Sequence, residues 1–163
     1  MKLKVGKYTG FFEKDFAPDG QLENFIKRID RKIEAGQIIK NSDTSLVVKR
    51  YNNRGLLYSI RHSIKGSRAS RCFQNACRLN AENIKTPHVF GFIEKRSALL
   101  LDDYYLISEY IEAPHLYAFF DNPENGEIQK KEVIQQIIDI IVKMAMLRIT
   151  HGDMKQSNIL ITK

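Results

Sequence analysis

Hydrophobic and polar positions alternate at the start of the chain, where Lys2-Leu3-Lys4-Val5 has the two-residue period of a short strand. A helical spacing of Leu22, Phe25, Ile26 and Ile29 follows Asp19-Gly20 and predicts a helix over about Leu22–Glu34, ended by Gly36. Gln37–Lys40 and Ser45–Tyr51 are β-branched runs around Asn41-Ser42-Asp43-Thr44, the pattern of a hairpin. Ser67 is placed to cap a helix running to about Asn80, with Ala69, Phe73, Ala76, Cys77 and Leu79 turned inward. Thr86-Pro87 stops helical structure and leads into an extended stretch, His88–Glu94. The acidic pair Asp102-Asp103 reads as a turn before a strand over Tyr104–Ile111. Ala113-Pro114 is a connector and Asn122–Gly126 a loop. The longest helix is predicted over about Lys131–Arg148, with Ile134, Ile137, Ile138, Ile141, Met144 and Ala145 as its apolar stripe. Strands dominate the first part and helices the last, which predicts an α+β fold.

Composition narrows the class. The chain has 163 residues, 43% hydrophobic and 28% charged, as expected of a globular domain or two small lobes. Its longest apolar run is Leu116–Phe120, far below the roughly 18 residues of a membrane span, and the basic N-terminus lacks an apolar stretch behind it. A cytoplasmic location is therefore expected. Cys72 and Cys77 form no Cys-x-x-Cys pair and read as small apolar helix residues.

Charge is unevenly placed. Residues 1–85 hold 18 Lys and Arg against 8 Asp and Glu, a balance of +10; residues 86–163 hold 8 against 11, a balance of −3. Arg50, Arg54, Arg61, Lys65, Arg68, Arg71 and Arg78 are the densest part. Such a surface favours phosphate-rich partners, from nucleotides and phosphorylated sugars to anionic membranes and nucleic acid.

The candidate chemistry lies after the long helix. His151-Gly152-Asp153-Met154-Lys155-Gln156-Ser157-Asn158 has the spacing His-x-Asp-x-x-x-x-Asn of a phosphotransferase catalytic loop. At this composition about 0.014 chance matches are expected. Asp153 can accept a hydrogen bond from an incoming hydroxyl and aim it at a γ-phosphate. Lys155 can neutralise the phosphoryl group in transfer, and Asn158 can offer an uncharged oxygen to Mg²⁺. His151 packs and orients the loop. Leu46-Val47-Val48-Lys49 places a lysine on a β-branched strand, the setting of a lysine that contacts ATP phosphates. A helix, two strands, a connector and a long helix fit between Lys49 and Asp153.

Lys49-Arg50-Tyr51-Asn52, Ser67-Arg68-Ala69, Asn75-Ala76, Leu79, Thr86-Pro87, Glu94 and His151-Gly152-Asp153 together resemble the bacterial lipopolysaccharide kinase family, over roughly residues 36–162. The resemblance implies a protein-kinase-like fold. Residues 1–111 would form a small antiparallel β lobe with a hinge near its end, and residues 112–163 a partial helical lobe. It implies ATP and Mg²⁺ as cofactors and a Kdo or heptose hydroxyl of the lipopolysaccharide core as acceptor. It puts Lys49 on ATP, Asp153 as base, Lys155 on the phosphoryl group and Asn158 on the metal. Glu109 and Ile111 would bind adenine through the main chain of the hinge. The segment Arg50–Arg78 would face an anionic membrane or glycolipid, giving a peripheral location at the inner membrane.

The pattern departs from that family in three places. No glycine-rich loop precedes Lys49; Asn41–Thr44 stands there, with the Ser42 and Thr44 hydroxyls and backbone N–H groups available to phosphates. The short distance from Gly36 to Lys49 means that the small lobe either lacks a hairpin or recruits residues 2–12. No acidic residue occurs from Ser67 to Ala81 to pair with Lys49, leaving only Glu82 and Glu94 nearby in sequence. No acidic residue follows Asn158 in the place of the second metal ligand, so weak or no turnover is expected of these 163 residues. Two alternatives stay open: a kinase of another substrate class, since Asp153-x-Lys155 also suits protein acceptors, and an inactive pseudokinase or basic binding module. The absence of any nucleic-acid-binding motif speaks against nucleic acid as the partner.

Overall fold

The computed structural model describes residues 1–13, 16, 24–26, 37–40, 45–51, 66–97, 100–150 and 154–162. The chain divides into two compact units, Met1–Tyr110 and Ile111–Lys163. Together they make a mixed α+β architecture.

The first unit is built on three antiparallel strand pairs. β1 (Lys2–Val5) pairs with β2 (Tyr8–Phe12), β3 (Gln37–Lys40) with β4 (Ser45–Tyr51), and β5 (Val89–Ser97) with β6 (Leu100–Glu109). They join in one six-stranded sheet of order β1-β2-β5-β6-β4-β3. The last hairpin in the chain is thus the centre of the sheet, and residues 2–12 are recruited at one edge. The helix predicted over Leu22–Glu34 lies mostly outside the described residues; Asn24–Ile26 within it are helical.

Alternation along the strands gives the sheet two apolar faces. One gathers Tyr8, Phe12, Leu46, Val48, Ile93, Tyr105 and Ile107 with Phe25 and Ile26. The other gathers Val89, Tyr104 and Leu106 beneath α1 (Arg68–Ala81), which contributes Ala69, Phe73 and Ala76. Ser67 is the N-cap of α1: it is fully buried, and its Oγ accepts the Ser70 N–H at 3.0 Å. Cys77, expected to face inward, is exposed. It follows Ala76 and so is turned about 100° away from the contact line.

Helix α1 ends five residues before Thr86-Pro87. Asn83 takes a left-handed conformation (φ 55°), its N–H donates to the Asn80 carbonyl, and the Ile84 N–H donates to the Leu79 carbonyl. This is the reciprocal C-terminal cap in which the residue just past the turn, here the buried Ile84, seals the end. Strand β6 also begins earlier than expected. Asp102 and Asp103 lie within it rather than in a turn, because Arg50 on β4 reaches Asp103 at 2.6 Å and Lys95 on β5 approaches Asp102 at 3.9 Å. The strand ends at Glu109, two residues short of the predicted Ile111.

On the helix-covered face, Tyr51 stacks on Tyr104 with ring centroids 5.5 Å apart, and the Arg68 guanidinium lies over its ring at 5.2 Å. Burial, and then the Cys72 thiol, push the Tyr51 hydroxyl up to about 12, while Arg68 acts in the opposite direction. An unfolded tyrosine ionises near pH 10, so between about pH 10 and 12 the unfolded chain loses this proton and the native one keeps it. The contribution of Tyr51 is whole below the lower value and is lost as pH rises through the upper one. After allowance for its residual solvent contact, this removes roughly 1–2 kcal/mol of stability. Urea midpoints measured from pH 9 to 12 are expected to fall less steeply for Tyr51→Phe than for the native chain; equal slopes would contradict the assignment.

The second unit contains α2 (Leu116–Asp121), α3 (Glu127–Met146) and a 3₁₀ turn, Gln156–Asn158. Helix α2 falls where the sequence pattern predicts no element, since the unbroken apolar run Leu116–Phe120 has no one-sided period to announce a helix. Helix α3 starts four residues before the predicted Lys131. The Gly126 N–H is held by the Gln129 Oε1 at 3.0 Å, and Glu127 suits the positive end of the helix. Met144 on its apolar stripe is buried, but Ile134, Ile138 and Ile141 remain more than two-fifths exposed. No helix among the described residues is long and apolar enough to cross a membrane.

Candidate phosphotransfer site

Lys49 stands on β4 directly opposite Leu106 of β6. Its side chain belongs to the face covered by α1, because Tyr51, two residues on, packs there with Leu106. Lys49 is exposed and makes no ion pair among the described residues. Neither acidic residue singled out near it in sequence is its partner. Glu94 is bound by Arg96 at 3.0 Å, and Glu82 caps the end of α1.

Glu109 closes β6, in register with Leu46. Its N–H donates to the His88 carbonyl at 2.8 Å, and the next N–H, of Tyr110, donates to the Ser45 carbonyl at 3.0 Å. These bonds tie the chain to both neighbouring strands up to the point where it leaves the sheet. The Glu109 side chain lies on the face opposite Lys49, where its Oε2 accepts the His88 N–H at 3.2 Å.

His88 is the group sequence reasoning did not single out. Its Nε2 lies 2.7 Å from the Glu13 Oε2, and its ring meets the edge of Phe90 at 4.7 Å. Only strand register brings Glu13 and His88 together, so no local signal announces the pair. Partial burial, and then the Glu13 carboxylate, push the nearby Cys77 thiol up, which disfavours a reactive thiolate there.

In the second unit, Ile111 is half-buried and opens the segment that leads to α2. Lys155 is exposed at the start of the 3₁₀ turn, and the exposed Asn158 closes that turn by donating its N–H to the Lys155 carbonyl at 2.8 Å. Both ends of the surrounding loop are fixed. Before it, Arg148 is left-handed (φ 54°), the Ile149 N–H donates to the Met144 carbonyl, and buried Ile149 and Met144 seal the end of α3. After it, Leu116 donates to the Ile159 carbonyl, Ile161 donates to the Pro114 carbonyl, and His115 bridges to Leu160.

Ser42, Thr44, His151 and Asp153 lie outside the described residues. The structure therefore gathers Lys49 and Glu109 on adjacent strands of one unit, and Lys155 and Asn158 on one turn of the other. No group of three or more His, Cys, Asp or Glu side chains placed to hold a metal occurs among the described residues.

Comparison with models of protein families, with curated proteins and with solved structures gives no match.

Proposed function

We propose that the chain is an ATP-dependent phosphotransferase of kinase-like fold, acting on a sugar hydroxyl of the Kdo or heptose class in a lipopolysaccharide core. The observation that carries this reading is the setting of Lys49. It sits on a β-branched strand, exposed on the sheet face that carries α1, beside the strand β6 whose end, Glu109, leads out of the sheet. In that order of elements Lys49 would bind the ATP phosphates, and the main chain of Glu109 and Ile111 would read the adenine. The Ser42 and Thr44 turn would cover the phosphates.

Asp153 would accept the hydrogen bond of the acceptor hydroxyl and direct its oxygen at the γ-phosphate. Lys155 would offset the charge that develops on the phosphoryl group. Mg²⁺ would accompany the ATP phosphates and neutralise their charge, and of the described residues Asn158 would offer it an amide oxygen.

The acceptor class rests on the sequence resemblance. Among the described residues of this segment, Arg71 and Arg78 are exposed two turns apart on α1 and would be among the arginines that meet an anionic membrane or glycolipid. Arg50 is engaged by Asp103, and Arg68 lies against Tyr51. The sequence Asp153-x-Lys155 favours a second reading, a kinase acting on protein or a small molecule.

Calorimetry with ATP, with and without Mg²⁺, is expected to show Mg²⁺-dependent binding that Lys49→Met weakens at least tenfold. ATP-dependent phosphate incorporation into deacylated core oligosaccharide, weak as it is expected to be, should exceed that into a generic protein. It should fall about a hundredfold in Asp153→Ala. Absence of binding at millimolar ATP would overturn the proposal, and preferential labelling of protein would move it to the second reading.

A further inference from the structure

The pairing of β5 with β6 ends in an irregular rung. The register that sets Val89 against Ser108 sets His88 against Glu109, and the Glu109 N–H donates to the His88 carbonyl at 2.8 Å. In a regular antiparallel rung the His88 N–H would return a bond to the Glu109 carbonyl. Here it donates instead to the Glu109 Oε2 at 3.2 Å. The carboxylate has displaced the carbonyl of its own residue. The preceding residue, Pro87, has no N–H to offer in place of the lost donor. His88 is held in this position by its ring, which bonds Glu13 and rests on Phe90.

We infer that the Glu109 side chain is a positioning group that sets base selectivity, an assignment that rests on the nucleotide-binding reading above. By occupying the His88 N–H it keeps the Glu109 carbonyl open as a hydrogen-bond acceptor at the end of β6. An open carbonyl suits the exocyclic amino group of adenine, which donates. It repels the equivalent position of guanine, where a carbonyl oxygen accepts. The group that recognises the base is thus main chain, and the side chain decides whether that main-chain atom is available. When the carboxylate is removed, the rung regularises and the carbonyl turns to His88.

The test is calorimetric titration of the full chain with ATP and with GTP, in the native protein, Glu109→Ala and Glu109→Gln. The native chain is expected to prefer ATP. Glu109→Ala is expected to bind ATP about tenfold more weakly, the worth of one hydrogen bond, and to lose most of its preference over GTP. Glu109→Gln, whose amide oxygen can accept the same His88 bond, should keep that preference. Thermal midpoints of the two variants should agree, since the Glu109 side chain is exposed, which separates the effect from a loss of folding. An unchanged ATP-to-GTP ratio in Glu109→Ala would overturn the inference while leaving nucleotide binding intact. Loss of the ratio in both variants would assign the effect to charge and overturn it too. A native chain that binds neither nucleotide would overturn both this assignment and the reading beneath it.

Discussion

Phe12→Ala is expected to cost about 4 kcal/mol of folding stability, the upper part of the range for removing a buried aromatic ring. The ring is fully enclosed at the end of β2, in contact with the apolar layer of Leu46, Val48, Ile93, Tyr105 and Ile107. It also stacks on Phe16 with centroids 5.6 Å apart and planes 1° from parallel, and Phe16 in turn stacks on Phe90 at 4.9 Å. Truncation therefore removes the transfer energy of the ring and leaves a void bounded by two further rings and the sheet. Main-chain pairing of β2 with β5 limits how far that void can close. The measurement is a urea titration with unchanged slope and a shifted midpoint. A loss below about 1.5 kcal/mol would mean that the surrounding layer collapses freely onto the site, and the enclosure described above would be wrong.

Gly91→Ala is the second large effect, expected to cost about 3 kcal/mol through crowding rather than a void. A Cβ at this position would lie 2.5 Å from the Phe11 carbonyl oxygen and 2.6 Å from the Phe12 Cδ1. The first is main chain of the neighbouring strand, and the second belongs to the enclosed ring. Neither can move without breaking the pairing of β2 with β5 or disturbing the apolar layer. Gly10 shows the same constraint from the other strand, with the Phe92 carbonyl oxygen 2.4 Å from its would-be Cβ. The two glycines let β2 and β5 approach where the β5–β6 register shifts between Val89 and Gly91. A Gly91→Ala protein within 0.5 kcal/mol of the native one would show that the strands can part at this point at little cost.

The strands over Lys2–Val5 and Ser45–Tyr51 and the helix capped by Ser67 were legible, since alternation, β-branching and a capping serine are local signals. Asp102-Asp103 was misread for the opposite reason. Two adjacent carboxylates look like a turn until Arg50, 53 residues away, is known to meet one of them. The isoleucines of α3 were legible as an apolar stripe from their spacing, yet spacing shows which side of a helix is apolar and not how much of that side is covered. For the candidate site, the strand setting of Lys49 and the place of Glu109 at the sheet exit followed from element order. The His88 rung did not. It depends on which carboxylate meets which N–H, and that is fixed by register and not by composition.

The strand order has a consequence for how the molecule comes to exist. Synthesis proceeds from the N-terminus, so β1–β2 and β3–β4 leave the ribosome before β5 and β6, the two strands that each must dock against. Until residue 97 emerges the first hairpin lacks its partner β5, and until residue 109 emerges the second lacks β6, so Phe12, Leu46 and Val48 wait for Ile93, Tyr105 and Ile107 of their apolar layer. The sheet can therefore be completed only once β5 and β6 are present, with the older hairpins at its two sides. The nascent chain carries unpaired edges until those two strands emerge, the interval in which it most needs protection from association with other chains.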